Sequence, residues 1–235
     1  HLVNDHDWQQ VLVFTKTNTL GTHIFLEACR KQKVKRIIHV STDEVYGENP
    51  GTPFKEKQFL NPTNPYSASK AAADMIVNAY KKSYNMNIST LRANNIYGIR
   101  QYPEKLIPKT IFCLLTKKKM PIHGDGNNYR HYLSVDDFCD GVIKIIENGK
   151  LNEIYNISSD RYYKVKDIVK IIAKNLNKDF KSNIKFVQDR PFNDKIYKIN
   201  CTKLKKLNWK VKRNLINDIS IICDWYKSNI NLFIK

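Results

Sequence analysis

Apolar residues recur every three or four positions from Leu20 to Arg30, which predicts a helix; the next apolar run, Arg36 to Ser41, has the length of a strand. Gly47 to Pro65 is dense in Pro, Asn and Gly and predicts a loop. From Tyr66 the stretch YSASKAAADMIVNAYKKSY returns to helical spacing, and NISTLR (Asn87 to Arg92) is a second strand. Strand, helix and strand at this spacing form the crossover unit of a parallel sheet.

After Tyr97 the texture changes. The pattern predicts a helix beginning at Pro103, a short strand in MPIHGDG running into a Gly turn, and a helix in SVDDFCDGVIKIIEN capped by Ser134 or Asp136. A strand in EIYNIS, a helix in VKDIVKIIAKNL, a strand in IKFVQDRPFND and a closing helix in DISIICDWYK complete the chain. The expected fold is α/β, a Rossmann-type doubly wound parallel sheet, with residues 1–97 in the sheet domain and 98–235 in a smaller α/β lobe interleaved with it. A dinucleotide-binding sheet normally opens with a strand, a Gly-rich turn and a helix. No G-x-x-G-x-x-G occurs among the eight glycines, so the expectation is that the amino-terminal part of the sheet domain is truncated or precedes His1.

Composition narrows the classes. The 235 residues suffice for one core and an attached lobe. No apolar run reaches bilayer-spanning length and the start does not read as a signal peptide, so no membrane association is expected. Five scattered cysteines without a Cys-x-x-Cys pair suit a reducing, cytoplasmic compartment, and six histidines that do not cluster suggest no metal site. The net charge of +18 raises nucleic acid as a partner, but the lysines are dispersed and no basic stripe interleaves with aromatics. No nucleic-acid partner is expected.

The candidate chemistry begins at VSTDEVYGENPG. A strand end followed by a hydroxyl and two adjacent carboxylates reads most simply as a solvated, capped loop. It also reads as an acid and base at the carboxyl edge of a sheet, where open α/β folds bind ligands. Tyr66 and Lys70 stand four apart on a helix and so share a face, where an ammonium would lower the pKa of a phenol. Alone that spacing is weak, since Tyr162 and Lys166 repeat it by chance. Tyr66 is distinguished by Ser41-Thr42 upstream and by Asn64-Pro65 at its helix start.

Taken together, STDEVYGE, PTNPYSASKAAAD, NNIYGIRQYPEKLIP, PIHGDGNNYRHYLSVDDF and DRPFND resemble the nucleotide-diphosphate-glucose 4,6-dehydratases, in the extended branch of the short-chain dehydrogenase/reductases. The resemblance covers almost the whole chain, with the motifs in family order. It implies an NAD-dependent hydro-lyase acting on dTDP-glucose or UDP-glucose, on the route to rhamnose-type deoxysugars. In such an enzyme Tyr66 would take the 4-hydroxyl proton, with Lys70 depressing its pKa and Thr42 bonding the same hydroxyl. Glu44 would take the C5 proton and Asp43 would protonate the departing 6-hydroxyl, its own pKa raised by the neighbouring charge. Epimerases and decarboxylases of the superfamily lack this acid pair; a truncated relative that only binds sugar nucleotides is the other alternative.

The resemblance also implies binding positions. Asn18 and Ser41, with Tyr66 and Lys70, match residues near NAD. Asn95, Lys105 and Leu106 match substrate contacts, Pro121, Ile122 and His123 would lie along the nucleotide base, and Arg130 with Arg190 would clamp the diphosphate. Asp189 and Asn193 belong to the same DRPFND motif. Asn193 stands where many dTDP-glucose enzymes have His, Ile99 where they have Pro, and Val165 where bacterial members often have Asn. These departures leave dTDP and UDP both open. A homodimer formed through the Tyr66 to Tyr84 helix is expected as well.

Overall fold

In the computed structural model, which describes residues 8–49, 51–189 and 194–233, α1 (Trp8–Phe14) runs through a π-helical stretch (Thr15–Leu20) into α2 (Gly21–Lys31). Then come β1 (Ile37–Thr42), a 3₁₀ turn (Asp43–Tyr46), α3 (Pro65–Tyr84), β2 (Ile88–Ala93) and β3 (Asn95–Tyr97). They are followed by α4 (Leu106–Leu115), β4 (Met120–His123), β5 (Tyr129–Ser134) and α5 (Val135–Asn148). The chain continues through β6 (Ile154–Ile157), β7 (Tyr162–Lys164), α6 (Val165–Asn175), α7 (Phe180–Asn183) and β8 (Ile184–Val187), then α8 (Thr202–Lys205) and α9 (Leu215–Asn229).

Three strands, in the order β1-β2-β6, form a parallel sheet, with Thr42 opposite Ala93 and Ala93 opposite Ile157. All six residues of β2 are buried, as expected for a central parallel strand covered on both faces. On one face Leu26 and Cys29 of α2 and Val77 and Tyr80 of α3 meet Ile37 and Ile88. On the other, Leu91, Tyr155 and Ile157 pack with Ile145 of α5, Leu204 of α8 and Trp209. A separate core joins α4, α6 and α9 through Ile111, Leu114, Ile168, Ile172, Ile219 and Ile222. Burial of this kind contributes about 1.5–3 kcal/mol per large side chain.

Two smaller sheets complete the fold. In one, β5 pairs with β3 in parallel and with β7 in antiparallel; in the other, β4 and β8 are parallel. The predicted helix at Pro103 starts later, at Leu106, with Lys105 as its cap residue. Strands β3, β5 and β7 are additions to the sequence reading, because they are short and rich in polar or half-buried residues rather than apolar runs. No helix among the described residues is long and apolar enough to cross a membrane.

Candidate active site

The carboxyl edge of β1 supplies the first half of the site. Thr42 is the cap residue of the 3₁₀ turn, its Oγ1 accepting from the Glu44 backbone N–H at 3.3 Å. The same hydroxyl lies 3.4 Å from Asp43 Oδ1. Val45 and Tyr46 bury against Ala71 of α3, which packs the turn against that helix. Gly47 ends the turn at φ +80°, and a Cβ there would lie 2.3 Å from the Asn61 carbonyl oxygen, so only glycine fits. The acid pair is thus a tightly fixed turn rather than a solvated loop. Asp43 and Thr42 are both buried.

The second half is the start of α3. Asn64 and Ser67 form a capping box, with Ser67 N–H on Asn64 Oδ1 at 2.9 Å and Asn64 N–H on Ser67 Oγ at 3.2 Å, and Pro65 occupies the first turn. The same Asn64 side chain reaches across to the acid pair, its Nδ2 donating to Glu44 Oε2 at 3.3 Å. Two residues later stands Tyr66, its ring edge-on to Phe14 at 5.5 Å. Lys70 lies one helical turn on and donates to the Val40 carbonyl at 2.7 Å.

Electrostatics separate the two acids. Burial, and then the Glu44 charge beside it, push Asp43 up to about 8, against the opposing pull of Arg130. Asp43 is therefore largely protonated at neutral pH. Mutual repulsion contributes as the sequence suggests, but burial is the larger cause. Glu44 is also raised by burial, opposed by the Asn64 hydrogen bond and by the charges of Arg130 and Lys105. Tyr66 departs from expectation. Burial, followed by the charges of Glu44 and Asp43, pushes its phenol up to about 12, and Lys70 is not among the groups that act on it. The physical reason is placement: the Lys70 ammonium is turned to the strand carbonyl, and two carboxyls lie nearer the phenol in effect.

The remaining predicted positions divide into three groups. Lys105 and Arg130 both bear on Glu44, so the later half of the chain does reach the acid pair. Arg130 is held by the carbonyls of Tyr129 and Asp194, each at 2.8 Å, and stacks over the Tyr197 ring at 5.2 Å. Asn18 lies beside α3, its Nδ2 on Ser69 Oγ at 3.0 Å; Ser41 is buried near Asp74; and Asn95 is exposed just beyond the carboxyl end of β2. Others present less side chain than their motifs suggest. Ile122 points into a core cluster and Leu106 packs on two, while Pro121 is half-buried and His123 exposed. Asp189 covers the turn at Gly124, where a Cβ would meet its Oδ2 at 2.6 Å. Arg190 and Asn193 lie outside the described residues.

The chance repeat Tyr162 and Lys166 falls on a strand and a helix respectively, so the two do not share a helical face. Asp194, with its partners Thr63 and Tyr197, escaped the sequence reading. Asp194 is buried and accepts from Thr63 Oγ1 at 2.8 Å and from the Tyr197 hydroxyl, and its charge bears on Glu44. Buried polar side chains drawn from distant segments leave no local pattern to read.

For a dinucleotide, Lys70 bonds the end of β1 beside Ser41, where Val40 remains 45% exposed, and Asn18 meets α3 at Ser69, in the turn between Tyr66 and Lys70. That arrangement fits the reacting end of such a group. Among the described residues there is no Gly-rich turn of the kind that cradles a pyrophosphate.

The profile of the GDP-mannose 4,6 dehydratase family matches residues 4–220. The chain is 43% identical over 229 residues to a trifunctional UDP-glucose 4,6-dehydratase/UDP-4-keto-6-deoxy-D-glucose 3,5-epimerase/UDP-4-keto-L-rhamnose-reductase of Arabidopsis thaliana, covering 96% of this chain and 34% of that protein. It is 39% identical over 275 residues to the dTDP-D-glucose 4,6-dehydratase of Dictyostelium discoideum, covering 98% of this chain and 63% of that one. The chain thus spans about a third of the first relative and under two thirds of the second. Among solved structures, the dTDP-glucose 4,6-dehydratase of Streptomyces venezuelae with NAD bound superposes with a TM-score of 0.93 at 32% identity, over 98% of this chain and 71% of that one.

Proposed function

From the premise that this chain belongs to the GDP-mannose 4,6-dehydratase family, we propose that it carries the catalytic half of an NAD-dependent dehydratase for dTDP-glucose or UDP-glucose. The product is the 4-keto-6-deoxy sugar nucleotide, a precursor of rhamnose-type deoxysugars. The observation that carries this reading is the Asp43-Glu44 pair beside Tyr66, with Asp43 buried and pushed up to about 8 and Glu44 half-buried next to it. Loss of water across C5 and C6 needs both a protonated acid and an ionised base. Two adjacent carboxyls, one of them raised by burial and by the charge of the other, suit that pair of roles.

Asn18, Ser41, Tyr66 and Lys70 would hold NAD at its nicotinamide end. When bound, NAD supplies the hydride acceptor for C4 and the hydride donor for C6. Thr42 and Tyr66 hold the 4-hydroxyl, and Tyr66 takes its proton. Protonation of Asp43 removes one of the two charges that oppose ionisation of Tyr66. Glu44 then takes the C5 proton, which the ketone at C4 has made acidic, and Asp43 delivers its proton to the departing 6-hydroxyl. Asn64 keeps Glu44 aimed by its hydrogen bond. Arg130 and Lys105 supply positive charge for the substrate phosphates, joined by Arg190.

The division into 1–97 and 98–235, with the sugar nucleotide between, belongs to the same reading. So does a homodimer packed through α3 and α2, whose outer faces leave Ile24 61% and Met75 59% exposed. A 4-epimerase on this scaffold has no use for a second, protonated carboxyl. The test is incubation of the intact protein with NAD and each sugar nucleotide, followed by NMR of the sugar. Appearance of a 6-methyl group beside a 4-ketone is expected with one of the two; unchanged glucose or galactose overturns the reading.

A further inference from the structure

A second polar network lies behind the site and joins its two halves. Arg92, at the core of β2, is 4% exposed. Its Nε donates to Asp74 Oδ2 at 2.9 Å, and one terminal nitrogen donates to the Tyr46 hydroxyl at 2.8 Å, while the guanidinium lies over the Tyr46 ring at 4.7 Å. Tyr46 in turn donates to Asn156 Oδ1 of β6 at 2.8 Å. His39 Nε2 of β1 stands 3.2 Å from the other Asp74 oxygen. Although burial pushes Asp74 up, the His39 and Arg92 contacts bring it below the ordinary carboxylate range, so it is charged.

The positions of the two ends are informative. Asp74 lies one helical turn beyond Lys70 and two beyond Tyr66 on α3. Tyr46 lies two residues beyond Glu44 on the 3₁₀ turn. Arg92 therefore holds, in one rigid fork, the helix bearing the proposed oxidation residues and the turn bearing the proposed elimination residues. Val45 and Ala71 fill the space between the two elements and set how closely they approach. Apolar contact alone is non-directional and leaves the turn free to slide along the helix; a bidentate cation fixes the register.

Stability is a weak explanation for the arrangement. Burying a cation and an anion costs several kcal/mol each, and an apolar pair of the same volume is often as stable. We propose that Arg92, through Asp74 and Tyr46, is a positioning residue that sets the register of Asp43 and Glu44 against Tyr66 and Lys70. It touches no substrate. Its effect falls on the step that needs both halves aligned, which is removal of the C5 proton from a sugar already held by Tyr66.

This inference rests on the dehydratase reading, and the test separates the two. In the intact enzyme, Tyr46→Phe keeps the ring beneath Arg92 and removes only its hydroxyl link, and Arg92→Lys reaches one partner but not both. Single turnovers in deuterated water report cofactor reduction by absorbance and C5 exchange by NMR. Both variants should oxidise the sugar within about twofold of the parent while C5 exchange slows on the order of ten- to a hundredfold, the scale of a small misalignment. Equal losses in both steps, or no loss in either, would overturn the proposal. If the parent reduces no cofactor with either sugar nucleotide, the dehydratase reading fails instead, and amide hydrogen exchange decides the clasp. Tyr46→Phe should then raise exchange in residues 43–47 with β2 and α3 unchanged; uniform or absent change overturns it.

Discussion

Asn64 and Glu44 are joined by a hydrogen bond of 3.3 Å, made by the same side chain whose oxygen caps α3 on Ser67 N–H at 2.9 Å. Helix start and proposed base are therefore coupled through one residue, and the two duties can be separated by substitution. Asn64→Asp keeps a good cap but replaces the donor to Glu44 with a carboxylate. Glu44 should rise further above its ordinary range, and because it works ionised, the acid limb of the rate profile should move to higher pH. Asn64→Ala loses the cap as well and should cost about 1 kcal/mol of stability. Rate profiles with melting curves check both; an unmoved acid limb in Asn64→Asp removes Asn64 from the account.

Asp43 is expected to weaken the fold it serves. Its folded pKa is raised to about 8 by burial and by Glu44, well above that of an unfolded aspartate. The folded state thus binds a proton that the unfolded state has released over most of this range. Stability linked to Asp43 is complete below about pH 4 and is lost as pH rises through about 8. Asp43→Asn removes the ionisable group and keeps its shape, so it should be more stable than the parent at pH 7 by about 4 kcal/mol, with little difference at pH 4. Melting temperatures across that pH range are the measurement. Catalysis should show the opposite sign, since the proton donor is gone.

How much of this was legible in the sequence depended on whether the signal was local. β1, β2 and β6 were readable because each is a short Ile-containing stretch of strand length bounded by polar residues. β5 was not, because Tyr129, Arg130 and His131 break any alternation and the strand is held by pairing with β3 and β7. The acid pair, the capping signal at Asn64 and the Tyr66–Lys70 spacing all lie within a few residues of one another in their own segments. Where each charge points was not readable. Lys70 shares a face with Tyr66 as the spacing requires, yet its ammonium goes to the Val40 carbonyl. Arg92 looked like the polar end of a strand and is a buried fork with partners on other elements.

Arg130 should matter for binding and for the acids at once. Held by the Asp194 carbonyl and stacked on Tyr197, it lowers both Asp43 and Glu44 by its charge. Arg130→Met should weaken binding of a nucleoside diphosphate by roughly 10- to 100-fold, the loss of one charge-assisted contact of about 1.5–3 kcal/mol. It should also carry Asp43 further up, extending activity on the alkaline side. Calorimetric titration with dTDP and UDP, with a rate profile on the same protein, checks the pair; unchanged affinity for both nucleotides would exclude the phosphate role.

The proposed dimer predicts a specific lesion. Ile24 and Phe25 of α2 and Met75 of α3 are 61%, 56% and 59% exposed, large apolar side chains that the fold itself does not cover. Phe25→Glu with Met75→Glu places charge on that surface without touching the core cluster of Leu26 and Val77. The double variant of the intact protein should sediment at half the parent mass while melting as one cooperative unit. A parent that already sediments as a monomer rules the dimer out.

The two half-reactions give the last and most discriminating expectation. Tyr66 is proposed to act on the 4-hydroxyl, so Tyr66→Phe should abolish cofactor reduction and product together. Glu44→Gln keeps the Asn64 contact within reach and loses only basicity, so the sugar should still be oxidised while C5 exchange with deuterated water falls by a factor of about 10² to 10⁴. Asp43→Asn should pass both of those steps and stop at loss of the 6-hydroxyl. Because its C5 proton is exchanged but its water is retained, deuterium should enter at C5 of recovered glucose nucleotide without a 6-methyl product. The three variants therefore stop at three successive points, read by absorbance, deuterium content and product. If Asp43→Asn forms the 6-methyl product as fast as the parent, the buried protonated acid is not the donor, and the assignment that distinguishes a dehydratase from an epimerase on this fold falls.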